Sequence, residues 1–185
     1  MPTITVSGVG GCQIRGLCLH HDLESSRLTS RVTVPTGLFI DNVFVSAHEN
    51  AVVDIENPFN GQKLGSISAA QAIDVDRAVS SASKAFNETW RSSTPQQRRN
   101  MLNRLAELIE RDVDVLASLE AVDAGILYRD SSNTFVPQAA ETCRYYAGWA
   151  DKMDGQSLDI VNGMAYTRRE PYGVCAAIVP WNSPL

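Results

Sequence analysis

From Leu38 onward the apolar and polar positions fall into recognisable periods. The runs 38–40 and 43–45 are short and β-prone, and they flank Asp41-Asn42, a turn-forming pair. That arrangement predicts a hairpin. Runs 51–55 and 63–67 predict two further strands, separated by Asn57-Pro58-Phe59-Asn60-Gly61, a stretch dense in turn formers. These elements make a small antiparallel β-region.

The period then lengthens to that of a helix. Val75, Ala78, Val79, Ala82, Ala85 and Phe86 share one face at three- and four-residue spacing, which predicts a helix over about 71–87. Ser68 with Gln71 fits a capping box at its start. A second helix is predicted from Pro95, a good first-turn residue, to about Ala124. Leu102, Leu105, Ile109, Val113, Leu116 and Leu119 form its stripe, and Gly125 is its expected stop. A third helix is predicted over about 137–152, with Cys143, Tyr146, Ala147 and Ala150 on its apolar face.

Beyond it the period changes again. Residues 164–169 read as a strand, and Glu170-Pro171-Tyr172-Gly173 breaks it. Residues 174–179 are a continuous apolar run of strand length. Such a run predicts a strand buried on both faces, as in a parallel α/β sheet. Pro180-Trp181-Asn182-Ser183-Pro184 leaves it as a loop. In α/β sheets the chemistry sits beyond the carboxyl ends of the strands, so this loop is where a site would begin.

The opening residues differ. They carry Gly8, Gly10, Gly11 and Gly16 without sustained periodicity, so 1–34 is expected to be a poorly ordered tail ahead of a folded unit over 35–185. Gly8-Val9-Gly10-Gly11 is not preceded by a strong strand or followed by a helix, which argues against a phosphate loop. His20-His21-Asp22 in a polar tail reads as solvated rather than metal-binding. The segment lacks the apolar core of a secretory signal. Asp22 and Glu24 among Arg15, Arg27 and Arg31 make it a poor mitochondrial presequence, so a cytoplasmic setting is expected.

Composition narrows the class. The chain has 185 residues, 44% hydrophobic and 20% charged, which excludes a disordered polymer. The longest apolar run, 174–181, is broken by Pro180 and falls far short of a bilayer span. A net charge of −5 without a basic tract argues against nucleic acid as a partner. Cys12, Cys18, Cys143 and Cys175 include no C-x-x-C pair, so neither a zinc ribbon nor a redox motif is supported. Cys175, inside the apolar run, reads as a small buried hydrophobe.

Several blocks, in order, resemble one family. Tyr166-Thr167-Arg168-Arg169-Glu170-Pro171-Tyr172-Gly173-Val174-Cys175-Ala176-Ala177-Ile178-Val179-Pro180-Trp181-Asn182 is similar to the segment of NAD(P)-dependent aldehyde dehydrogenases that runs into their Pro-Trp-Asn loop. Arg144-Tyr145-Tyr146-Ala147-Gly148-Trp149-Ala150-Asp151-Lys152 resembles a second block. Asn57-Pro58 with Gly61, Asp74-Val75-Asp76-Arg77-Ala78-Val79, and Leu105-Ala106-Glu107-Leu108-Ile109-Glu110 resemble others. The resemblance covers about 35–185.

The resemblance implies an α/β, aldehyde dehydrogenase-like fold that is incomplete. It would comprise an N-terminal β-region, the leading helices and the first strand of the nucleotide-binding sheet. It implies NAD or NADP as cofactor and an aldehyde as substrate, oxidised to a carboxylic acid. In such enzymes a cysteine thiolate attacks the aldehyde, and a glutamate later activates the hydrolytic water. By motif position Asn182 resembles the side-chain amide donor of the oxyanion hole, and Val179, Pro180 and Trp181 resemble the loop bordering the cofactor's ribose and nicotinamide. Asp123, with a backbone carbonyl near Glu56, resembles a monovalent-cation position of some members.

There are departures. Ser183 stands where the family commonly has an aromatic, and Gly125-Ile126-Leu127 replaces the usual Gly-Lys-Pro. The nucleophilic cysteine and the general-base glutamate lie beyond the positions this chain covers, so the chain alone is expected to be inactive. Implied partners are a homo-oligomer or a full-length relative. A non-catalytic aldehyde dehydrogenase-like protein acting by binding such a relative is the alternative. An all-helical adaptor, possible on periodicity alone, leaves the Pro-Trp-Asn region unexplained.

Overall fold

A computed structural model describes residues 3–7, 31–182 and 184–185. Among the described residues, four two-stranded antiparallel ladders accompany a group of helices. Strands β1 (Thr3–Ser7) and β2 (Arg31–Pro35) pair with Thr3 opposite Pro35 and Ser7 opposite Arg31. The first of these stretches and most of the second fall within residues 1–34, the segment set apart from the folded unit in the sequence. Cys12, Cys18, the glycine cluster and His20-His21-Asp22 lie outside the described residues.

Strands β3 (Leu38–Ile40) and β4 (Val43–Val45) form the predicted hairpin. Asp41 and Asn42 both take left-handed backbone, at φ 54° and 61°. This is the combination a two-residue turn needs to match strand twist, and Asn and Asp tolerate it. Phe39 and Phe44 sit opposite one another, with ring centroids 4.9 Å apart. Strands β5 (Val52–Glu56) and β6 (Lys63–Ser68) pair with a register shift at Ile55/Glu56. In their connection Asn57 Oδ1 accepts the Phe59 N–H at 2.9 Å, and Gly61, at φ 67°, donates its N–H to the Asn57 carbonyl at 2.8 Å.

Helix α1 (Ala72–Glu88) begins three residues later than the predicted capping box. Ser68 is committed to the β6 ladder opposite Val52, so it cannot cap. Asp74 does that work. Its buried carboxylate accepts the Gln71 N–H at 3.0 Å and the His48 N–H at 2.9 Å. The second bond ties the loop between β4 and β5 to the helix. That loop holds Glu49 and Asn50 at φ 55° and 53°. These two backbone hydrogen bonds, His48 first, hold the Asp74 carboxyl below the ordinary range. The predicted apolar face of α1 is largely open: Val75, Val79, Ala82 and Ala85 are exposed, and only Ala78 and Phe86 are half-buried.

The single predicted helix from Pro95 is two. Helix α2 (Pro95–Arg111) is capped by Thr94, whose Oγ1 accepts the Gln97 N–H while Gln97 Oε1 accepts the Thr94 N–H. Asp112, at φ −103° and ψ 20°, then breaks the path, and α3 (Val113–Asp123) follows. An Asp competes poorly in a helix interior because its short polar side chain has other partners. Here it bonds the Arg111 guanidinium at 2.6 and 2.9 Å. Gly125 stops α3 as predicted, at φ 71°, and a Cβ there would come within 3.3 Å of Pro58 Cγ. One turn of helix, α4 (Tyr128–Asp130), leads through a π-helical turn, Ser131–Phe135, into α5 (Val136–Trp149). Pro137, which has no N–H to donate, sits at this transition.

The core lies where α2 and α5 pack together and where α3 meets the π turn. Ala106, Ala117, Val136, Ala140 and Ala147 are fully buried. Small side chains let helix axes approach closely. Arg144 of α5 clasps Glu110 of α2 with two bonds of 2.5 and 2.7 Å. Arg99 and Lys152 both bond Asp151, which pulls that carboxyl from 3.8 to about 2, Lys152 being the larger cause. Strand β7 (Ser157–Ile160), not anticipated from the sequence, pairs with β8 (Gly163–Tyr166) around Asn162 at φ 63°. The ribbon is mostly exposed.

Residues 174–179 do not form the predicted buried strand. The run has no regular structure, and Ile178 is 99% exposed. A strand exists only through a ladder, and no described strand lies alongside this run.

Candidate active-site segment

The chain reaches the candidate residues through an irregular stretch. Thr167 closes the β7–β8 ribbon by donating its N–H to the Gln156 carbonyl at 2.8 Å. Gly173 turns the chain at φ 90°, against the ring of Phe86 on α1. Beyond it the polypeptide runs without a ladder to a turn at Trp181 and Asn182. Pro180 contributes to that path by fixing its own φ and lacking a donor.

Val179, Pro180, Trp181 and Asn182 are all exposed, Trp181 by 87%. They offer solvent an indole, a length of backbone and a side-chain amide. The Asn182 amide has the chemistry to donate to a developing negative charge without titrating.

Cys175 is exposed, not buried as its apolar neighbours suggested. The reason is the missing ladder: without a covered face the run has no interior. Its thiol faces the Gly173 carbonyl at 3.7 Å, which is neither a base nor a cation. Cys143 is half-buried on α5.

Asp123 and Glu56 end α3 and β5 respectively. Just beyond these ends, a Cβ added at Gly125 would come within 3.3 Å of Pro58 Cγ. Asp123 lines an apolar cavity that Ile55 and Thr36 also line. Among the described residues no three His, Cys, Asp or Glu side chains cluster closely enough to hold a metal. Sequence reading also passed over Glu120 and Ser131, a buried pair joined by a hydrogen bond from the Ser131 hydroxyl to Glu120 Oε2. The available signal was an acid placed directly after Leu119 in the apolar stripe of α3.

The profile of the aldehyde dehydrogenase family matches residues 44–185. The chain belongs to the aldehyde dehydrogenase family. An aldehyde dehydrogenase of Alternaria alternata is 44% identical over 87% of this chain and 33% of its own length. The cytosolic 10-formyltetrahydrofolate dehydrogenase of Xenopus tropicalis is 39% identical over 83% of this chain and 18% of its own. Among solved structures, PnpE from Pseudomonas sp. WBC-3 superposes with a TM-score of 0.78 at 39% identity, over 82% of this chain and 31% of that one. PnpE in complex with nicotinamide adenine dinucleotide superposes at 0.71 and 36% identity, over 75% of this chain and 28% of that one. This aldehyde dehydrogenase chain thus spans about a third of the length of the curated relatives it matches first. It is an incomplete α/β unit of that fold, and no described helix is long and apolar enough to cross a membrane.

Proposed function

We propose that this chain contributes the N-terminal part of an enzyme that oxidises an aldehyde to a carboxylic acid with NAD or NADP. The observation that carries the reading is the ordered set of family blocks ending on Pro180-Trp181-Asn182. In this reading the Asn182 side-chain N–H donates to the oxygen that becomes negative when a thiolate adds to the aldehyde carbonyl. A neutral donor aimed at that oxygen favours the tetrahedral state over the flat carbonyl. Val179, Pro180 and Trp181 supply the backbone and indole against which NAD or NADP lies, and the bound cofactor accepts the hydride. Asp123, with the backbone near Glu56, would hold a monovalent cation at the junction of α3 and β5. The family resemblance puts the nucleophilic thiolate and the general base outside these 185 residues, so in this reading the chain by itself has no turnover.

The test has two arms. The purified chain, mixed with NAD or NADP and a panel of aldehydes, should give no increase in absorbance from reduced cofactor. Joined to the remainder of the Alternaria alternata relative, it should support turnover, and Asn182→Ala in that chimera should lower kcat by about 10²–10³. Aldehyde-dependent reduction by the chain alone, or an unchanged kcat in the variant, would overturn the reading. A second reading, non-catalytic binding to a full-length relative, draws on the exposed apolar run 174–179. Co-purification with such a relative, lost in Ile178→Lys, would favour it.

A further inference from the structure

Helix α3 carries a carboxylate that the proposed reaction does not use. Glu120 is only 6% exposed. Its Oε2 accepts the hydroxyl of Ser131, which is itself fully buried. No Lys, Arg or His among the described residues pairs with it. Its other oxygen, Oε1, has no hydrogen-bond partner and is not sealed away. Two cavities of about 400 Å³ each meet at this side chain. One is lined by Ile126, Phe135, Gln138 and Thr142. The other lies between the β5–β6 hairpin and α3, and Ile55, Leu64, Ile67, Leu116, Leu119 and Val122 make it apolar. Asp123 adds a carboxylate to this second cavity, Leu185 lines both, and neither cavity has a basic residue in its lining.

An ionised carboxylate at this depth is costly, and one neutral hydroxyl offsets only part of that cost. A donor carrying positive charge, directed at Oε1, would add a charge-assisted hydrogen bond. An apolar tail on the same molecule would withdraw the carbon-lined wall from water. At Oε1 itself a metal ion fits less well, because it needs a shell of oxygen ligands and the wall beside that oxygen is mostly carbon.

We propose that Glu120 anchors a small organic ammonium with an apolar tail, seated in the cavity between the β5–β6 hairpin and α3. Isothermal titration of the full 185-residue chain with n-butylammonium, n-butanol and butyrate tests this. The ammonium should bind about tenfold more tightly than the isosteric alcohol, and butyrate should bind more weakly than either. Glu120→Gln keeps an acceptor for Ser131 and nearly the same shape, and it should bring the ammonium to within about twofold of the alcohol. Asp123→Asn, at the cavity wall, should weaken the ammonium less. The three-probe comparison on the unaltered chain stands even if Glu120→Gln fails to fold. Equal affinity for ammonium and alcohol, or an unchanged preference in Glu120→Gln, would each overturn the proposal.

Discussion

The α2–α5 pair and the 174–179 run are both patterned for burial, and only one of them is buried. In the helical pair, Ala106, Ala140 and Ala147 vanish into the contact, and Arg144 and Asp151 fasten its edges to Glu110 and Arg99. The 174–179 run has more apolar character per residue, yet every side chain in it is exposed. The difference is a partner. A helix satisfies its own backbone and needs only a face to cover, whereas a strand needs a neighbour for its hydrogen bonds as well. Apolar pattern therefore measures what a segment would bury, not whether it does. Helix α1 stands between the two: its hydrogen bonds are internal, while much of its apolar face is open.

The sharpest way to break this comparison is to make the same change in both regions. Ala106→Leu should overpack the α2–α5 contact and cost about 1–3 kcal/mol in urea unfolding. Ala176→Leu, in the exposed run, should change stability by no more than about 0.5 kcal/mol. Equal effects would mean that 174–179 is packed in solution. A second effect concerns the junction of α3 with the β-region. Gly125→Ala forces a side chain into left-handed backbone and toward Pro58, and should cost about 1–2 kcal/mol by the same assay.

Smaller effects sharpen the picture. The Asp151 carboxyl is held at about 2, below its ordinary 3.8, so its tie to Lys152 and Arg99 adds stability that is full above that ordinary value. The contribution fades as pH falls from near 3.8 toward 2. Asp151→Asn should therefore flatten the acid limb of a stability-against-pH curve and leave its slope above pH 5 unchanged. Asp74 follows the same sign, since its carboxyl is also depressed, by the His48 and Gln71 amides. Hydrogen exchange completes the series. Amides of Ala140 and Ala147 should be protected close to the global limit, while those of 174–179 exchange near the free rate.

Much of the fold was legible in the sequence where local chemistry sufficed. Asp41-Asn42 announced a tight turn because few residues accept left-handed backbone, and the structure puts both there. Gly125 announced a helix end for the same reason. The capping residues were less legible. Ser68 and Gln71 fit a box by spacing, but Ser68 was claimed by a ladder with Val52, which is a tertiary fact. The break at Asp112 was missed because the leucine stripe runs through it unbroken. The candidate site was legible as a motif and not as a place: Pro180-Trp181-Asn182 named the residues, and the structure set them on an open turn.

The sequence by itself determined the family, the turns at Asp41-Asn42 and Gly125, and which residues share a helical face. Each depends on the identity of a few neighbouring residues and on intrinsic backbone preference. Only the tertiary structure decided which apolar faces are covered. It alone placed Glu120 against Ser131 with one oxygen open to a cavity, and tied Asp74 to the distant His48 amide. Those outcomes depend on what another part of the chain brings alongside. Local pattern can show that a residue is able to pair or be buried, but the partner that makes it so is chosen across the fold.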